Sequence, residues 1–279
     1  MTEKRPALST RLRCITDCVR AVAARYASPP RLADIGCDHG LVPAELILTG
    51  DIGSAVASDV KRGPLKAARE NAERFGIQDR MRFVCADGMD GVGQDAAEIC
   101  VIAGMGGELI RDIVRKADFR AAGMEYLVLS PHTKAAELRR YLREAAFVLL
   151  SETMAEEEGR FYPVLTLSVP APERPKDGSG DIRGDCYRMC TDAVCDAAGY
   201  RPADALRVAY AYGPVLLARR DAVLKRYLLK QRTRFQTLLE AAAGRGADAH
   251  RLRMQGRDAD AALAVYREVV PERREHALQ

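Results

Sequence analysis

The chain has 279 residues, 48% of them hydrophobic and 29% charged, with a formal net charge of +4. That length buries a substantial core and allows one large domain or one domain with a smaller module, and the composition excludes a disordered polar chain. A charge this close to neutral leaves any nucleic-acid binding to local clusters of basic residues. The N-terminal MTEKRPALSTRLR has no apolar signal-peptide core, and no apolar run is long enough to cross a membrane. The chain is therefore expected in the cytoplasm, with its eight cysteines as reduced thiols.

In chain order, Leu8–Tyr26 reads as a helix with Ser9 as its N-cap. Short apolar runs then predict strands at Leu32–Ile35, Ser54–Ser58, Met81–Cys85, Ile99–Ala103 and Tyr126–Leu129. Helices are predicted between or after them at Val42–Thr49, Gly63–Phe75, Glu108–Lys116 and Lys134–Ala145. Such alternation gives a parallel sheet covered on both faces. Two further strands, Val148–Thr153 and Val164–Val169, are separated by MAEEEGRFYP, too short for a crossover helix, so this pair should be antiparallel. Residues 170–181 read as a Pro/Gly-rich loop, and the stretch to about residue 205 carries no clear pattern. From Pro214 a single long helix is predicted, broken at GRGAD and followed by a second helix over Ala249–Val270, the two folding back as an antiparallel hairpin.

The first strand runs into Asp34-Ile35-Gly36-Cys37-Asp38-His39-Gly40 and then a helix. Glycines there permit a tight turn and close approach to a ligand. A dinucleotide loop wants glycine where Asp34 stands. A carboxylate in that place repels a pyrophosphate and suits a sulfonium and its ammonium group, so the stretch resembles the S-adenosylmethionine (SAM) loop. Asp59, 25 residues on at the tip of the second strand, is placed for a ribose diol, and Asp87, after the third, for an adenine amino group. A metal at Cys37, Asp38 and His39 lacks any partner pattern elsewhere, and Cys186, Cys190 and Cys195 have neither zinc nor iron–sulfur spacing. No metal is expected.

Five parallel strands followed by an antiparallel pair at the sheet edge is the arrangement of the class I methyltransferases. The segments DIGCDHGLVP, SDVKRGPLKAA, ADGMD, VIAGMGGELIRDIV and GRFYPVLTL, with LSTRL and YGPVLLARRDAVLKRYL, resemble the TrmK family, which methylates N1 of adenine 22 in bacterial tRNA. The resemblance implies a Rossmann-like SAM-dependent methyltransferase domain over residues 1–170, a linker or insertion over 171–205 and a C-terminal antiparallel coiled-coil arm over 206–279. Expected cofactor contacts are Asp34, Gly36, Cys37, Gly40 and Asp59, together with Val60, Asp87, Gly88, Ala103 and Gly104. Expected substrate contacts are Arg11, Met105, Gly106, Gly107, Pro131, His132 and Tyr162. Ser130-Pro131-His132 departs from the family's pattern, and AGMGG lacks the proline and aromatic usual in exocyclic-amine methyltransferases; its glycines open room and expose backbone amides.

Adenine N1 carries an in-plane lone pair and attacks a sulfonium methyl without a strong base, so positioning dominates. Asp38, with His39 beside it, is the candidate for favouring charge on the base; its competing role is as N-cap of the following helix. Tyr162 is either a stacking face for the base or an ordinary strand tyrosine. Residues 214–279 hold fourteen Lys/Arg against eight Asp/Glu, which fits contact with tRNA phosphates or a solvated coiled-coil surface. A monomer or weak dimer acting on tRNA is expected. The alternatives are SAM chemistry on rRNA, a protein or a metabolite, and a non-catalytic RNA-binding adaptor.

Overall fold

The structure, a computed structural model, describes residues 5–170, 184–241 and 247–267. The chain divides into two compact units, Met1–Cys186 and Tyr187–Gln279. The first unit opens with α1 (Thr10–Ala23), whose N-cap Ser9 accepts from the Leu12 N–H as its sequence position predicts. There follow β1 (Arg31–Ile35), α2 (Leu41–Leu48), β2 (Ser54–Asp59), α3 (Arg62–Phe75) and β3 (Met81–Cys85). The unit continues through β4 (Ile99–Gly106), α4 (Gly107–Lys116), β5 (Tyr126–Thr133), α5 (Ala135–Glu144), β6 (Val148–Glu157) and β7 (Arg160–Ser168).

All seven strands form one sheet in the order β3-β2-β1-β4-β5-β7-β6, with β7 antiparallel to both of its neighbours and the other pairings parallel. The central strands are apolar on both faces, and Leu32, Ile99, Ile102, Leu127 and Leu129 are fully buried. Sequential strands run outward from β1 to β3, and the chain then returns to β4 and runs the other way. Right-handed crossovers therefore place α2 and α3 on one face and α4 on the other. The order reverses between β1 and β4, and the crevice at their carboxyl ends is where an open α/β sheet takes a ligand.

Three expectations need correction. Strand β4 does not end at Ala103; it continues through the AGMGG segment to Gly106, with register shifts around Met105. The segment MAEEEGRFYP is mostly strand: β6 and β7 pair down to Glu157 and Arg160, joined by Glu158 and Gly159, both at positive φ, in a two-residue hairpin turn. The long helix from Pro214 is two helices, α8 (Pro214–Ala218) and α9 (Ala222–Ala241). Between them Arg220 adopts φ 52°, and Asp221 caps α9 by accepting from the Leu224 N–H at 2.8 Å.

The stretch without a pattern folds as α6 (Gly184–Ala198) and α7 (Pro202–Tyr212). Within the second unit α9 packs against α10 (Ala247–Ala264), which also meets α7, where Arg207 holds the buried Asp258 at 2.8 Å. The loop expected at 171–181, the hairpin turn at Gly244–Gly246 and the helix end at Val270 lie outside the described residues. Among the described residues no helix is long and apolar enough to cross a membrane.

Candidate functional site

A cleft of about 470 Å³ opens at the reversal point between β1 and β4. Its floor begins with the loop after β1. Gly36 and Cys37 donate their N–H groups to Ser58 O at 2.8 and 3.0 Å, which ties the loop to the end of β2. Gly36 sits at φ 75°, a left-handed conformation that side chains rarely adopt, which favours glycine at this turn. Asn71 on α3 donates to His39 O at 2.9 Å and holds the far side of the loop.

This framework buries Asp34, whose residue exposure is 5%. Among the described residues its carboxylate has no cation and no hydrogen-bond donor. Burial, then the charges of Asp59 and Asp38, push its carboxyl up to about 7. An unpartnered acid in a concave site is matched to a positively charged ligand. Asp59 also lines the cleft, and its Oδ1 accepts from the Lys61 N–H at 2.8 Å. Lys61, which the sequence reading did not single out, lines the same wall.

Asp38 and His39 project into the cleft with side chains 72% and 58% exposed, and His39 Nε2 lies 3.5 Å from Asp38 Oδ1. The competing N-cap role for Asp38 is ruled out by position. Helix α2 is capped by Gly40 without a side-chain bond, and Asp38 stands two residues earlier at φ 50°. Cys37 lines the cleft as a buried thiol whose pKa is raised by burial and by Asp34, so it is no nucleophile. Ala103, Gly104 and Met105 complete the wall below.

Several expected contacts lie elsewhere. Asp87 and Gly88 line a separate small depression with Leu109 and Ile113. Val60 is 64% exposed and outside the cleft lining. Gly106 caps α4, and a side chain on Gly107 would strike the Thr133 and Lys134 carbonyls. Those two glycines close α4 onto the end of β5; they do not open room. Pro131 is buried within β5.

Arg11, His132 and Tyr162, the expected substrate contacts, converge from α1, β5 and β7. Arg11 Nη1 is 2.6 Å from His132 Nε2, Arg11 Cζ stands over the Tyr162 ring at 5.4 Å, and the His132 and Tyr162 rings meet edge-on at 5.2 Å. Burial, followed by the charges of Arg11 and Arg160, lowers the His132 pKa. Arg160 was missed in the sequence. Its signal is the period of a strand, which places it two residues from Tyr162 on the same face. Among the described residues no group of three His, Cys, Asp or Glu side chains is arranged to hold a metal ion.

A parallel sheet closed by an antiparallel hairpin, with an acid-floored cleft at its reversal point, defines a Rossmann-like methyltransferase fold. The methyltransferase-domain family matches residues 8–165, and the chain belongs to it. A curated Bacillus subtilis relative, tRNA (adenine(22)-N(1))-methyltransferase, is 29% identical over 160 residues, spanning 57% of this chain and 67% of that protein. The crystal structure of B. subtilis TrmK, the m1A22 tRNA methyltransferase, superposes with a TM-score of 0.67 at 23% identity, covering 93% of this chain and 97% of that one. A Streptococcus pneumoniae structure in complex with S-adenosyl-L-methionine gives 0.69 at 24% identity, covering 92% and 100%. At these identities the structures share the fold.

Proposed function

We propose that this chain transfers the methyl group of SAM to N1 of an adenine in tRNA, the position being the one named for its B. subtilis relative. The observation that carries the reading is the buried, unpartnered carboxylate of Asp34 at the sheet's reversal point, with Asp59 and Asp38 around it. When bound, SAM supplies an electrophilic methyl on a positively charged sulfur. Asp34 would balance the ligand's cationic groups, and Asp59 would take its ribose hydroxyls through the carboxylate that already accepts from Lys61.

Gly104 and Met105 shape the wall beside the transfer point, and Asp38 offers a carboxylate that favours positive charge growing on the acceptor base. No general base is required, because N1 attacks through a lone pair; the protein's task is alignment. N1 is occupied in a Watson–Crick pair, so the acceptor base must be unpaired or turned out of its stack to enter the cleft. The basic helix α9, with Lys225, Arg226, Lys230, Arg232 and Arg234 against the single acid Glu240, supports contact with the tRNA backbone.

Mass analysis of nucleosides tests this directly. Purified protein and SAM, incubated with tRNA that lacks the modification, should generate N1-methyladenosine, and Asp38→Ala should lower the yield at least tenfold. Methylation of rRNA or protein with none on tRNA would replace the substrate assignment. Equal yields from the wild type and D38A would remove Asp38 from the mechanism.

A further inference from the structure

Arg11, in the first turn of α1, is held in an unusual way for a cation at a cleft wall. Its backbone N–H donates to Glu157 Oε1 at 3.5 Å, but among the described residues no carboxylate pairs with its guanidinium. One guanidinium N–H points at His132 Nε2. Arginine has only donors, so His132 Nε2 accepts and the ring carries its proton on Nδ1, as a neutral imidazole. The lowered His132 pKa agrees with that state.

The same guanidinium rests on the Tyr162 ring, and His132 closes against the ring's edge. One guanidinium edge is thereby taken up and the cation is held over the ring, while Arg11 and His132 both line the cleft. What remains toward the cleft is a planar cation fixed in orientation. Unpaired bases stack on such planes as readily as on aromatic rings, and a lysine cannot replace them. Tyr162, for which the sequence suggested direct stacking, is covered by Arg11 and does not line the cleft.

We propose that Arg11, backed by Tyr162 and oriented by His132, is the surface on which the methyl-accepting base stacks. This rests on the reading of the protein as an adenine-N1 methyltransferase. Arg11 touches the base; Tyr162 and His132 are positioning residues that act through it.

The test uses the full chain and begins with wild-type transfer to tRNA. A tRNA carrying 2-aminopurine at the methylated position should brighten as that base leaves its helix and then be quenched by stacking on the wild-type protein. R11K and R11A should both lose the quench and lower kcat/KM by about tenfold to a hundredfold, the range of one base stack, with SAM affinity by calorimetry unchanged. Y162A should fall with R11A, and the R11A/Y162A double variant should be no worse than R11A alone, because the two act as one unit. H132Q, which keeps an acceptor for Arg11, should retain more activity than H132A. R11K with wild-type quench and kinetics would overturn the proposal, since charge alone would then suffice. Loss of SAM affinity in R11A would overturn it too, by assigning Arg11 to the shape of the cleft. If the wild type transfers no methyl to tRNA, both readings fall; if it does and R11K matches it, only this one does.

Discussion

Above neutral pH the Asp34 carboxyl is ionised in a buried setting beside two other acids, and its displaced pKa of about 7 links both stability and ligand affinity to pH. The folded value lies above the unfolded one, so the folded state holds the extra proton. Stability from this group is greatest in acid and declines as pH rises from the ordinary carboxylate range through about 7. Asp34→Asn removes that decline: thermal melts at pH 8 should show the ligand-free variant more stable than the wild type, while calorimetry shows SAM affinity reduced at least tenfold. Wild-type SAM affinity should rise with pH through the same window, and a flat profile from pH 6 to 8 would contradict a cation over Asp34. Asp34 and Asp59 were legible in the sequence because they end the inner strands, whose carboxyl tips flank the reversal point. Asp87 follows β3, the outermost strand, and lines a separate depression.

Helix α5 is fastened to the sheet by Arg139 and Glu152, whose side chains are 1% and 0% exposed and meet at 2.7 Å. Removing one charge breaks a buried ion pair. Glu152→Gln should cost roughly 3–5 kcal/mol in urea melts, whereas replacing both by methionine should recover most of that loss. At the start of α1, Ser9→Ala should cost about 1 kcal/mol by deleting the acceptor for Leu12 N–H. Parallel strands were legible from apolar runs because strands buried on both faces leave little else to read. The extension of β6 and β7 down to their turn was not, since consecutive glutamates are poor strand formers and suggest a loop. What overrides them is the two-residue turn at Glu158 and Gly159 and the pairing of Ala155 with Tyr162. The break before α9 was hidden for a related reason. A left-handed residue ends α8, and arginine occupies a place where glycine would have announced it.

Considered as a whole, the chain pairs a cofactor-binding unit with a helical one whose basic helix α9 is read as facing phosphate. Arg232→Gln with Arg234→Gln should weaken tRNA binding and flatten the dependence of log affinity on log salt by about one and a half, with SAM affinity unchanged. An unaltered slope would place the phosphate contacts elsewhere. The overall architecture was legible in the sequence; the assembly of the acceptor side was not, because no local pattern announces contacts between remote segments. Arg11 and His132 touch across 121 positions, and Tyr162 comes from the strand that enters the sheet between two others already made. The floor under Asp34, by contrast, draws on the contiguous stretch from β1 to β4. During synthesis the pocket for the methyl donor can therefore take shape while the surface awaiting the nucleobase is still missing its last strand. A ribosome-bound chain stalled short of β7 should carry the whole stretch that floors the cleft while lacking the ring that lies beneath Arg11.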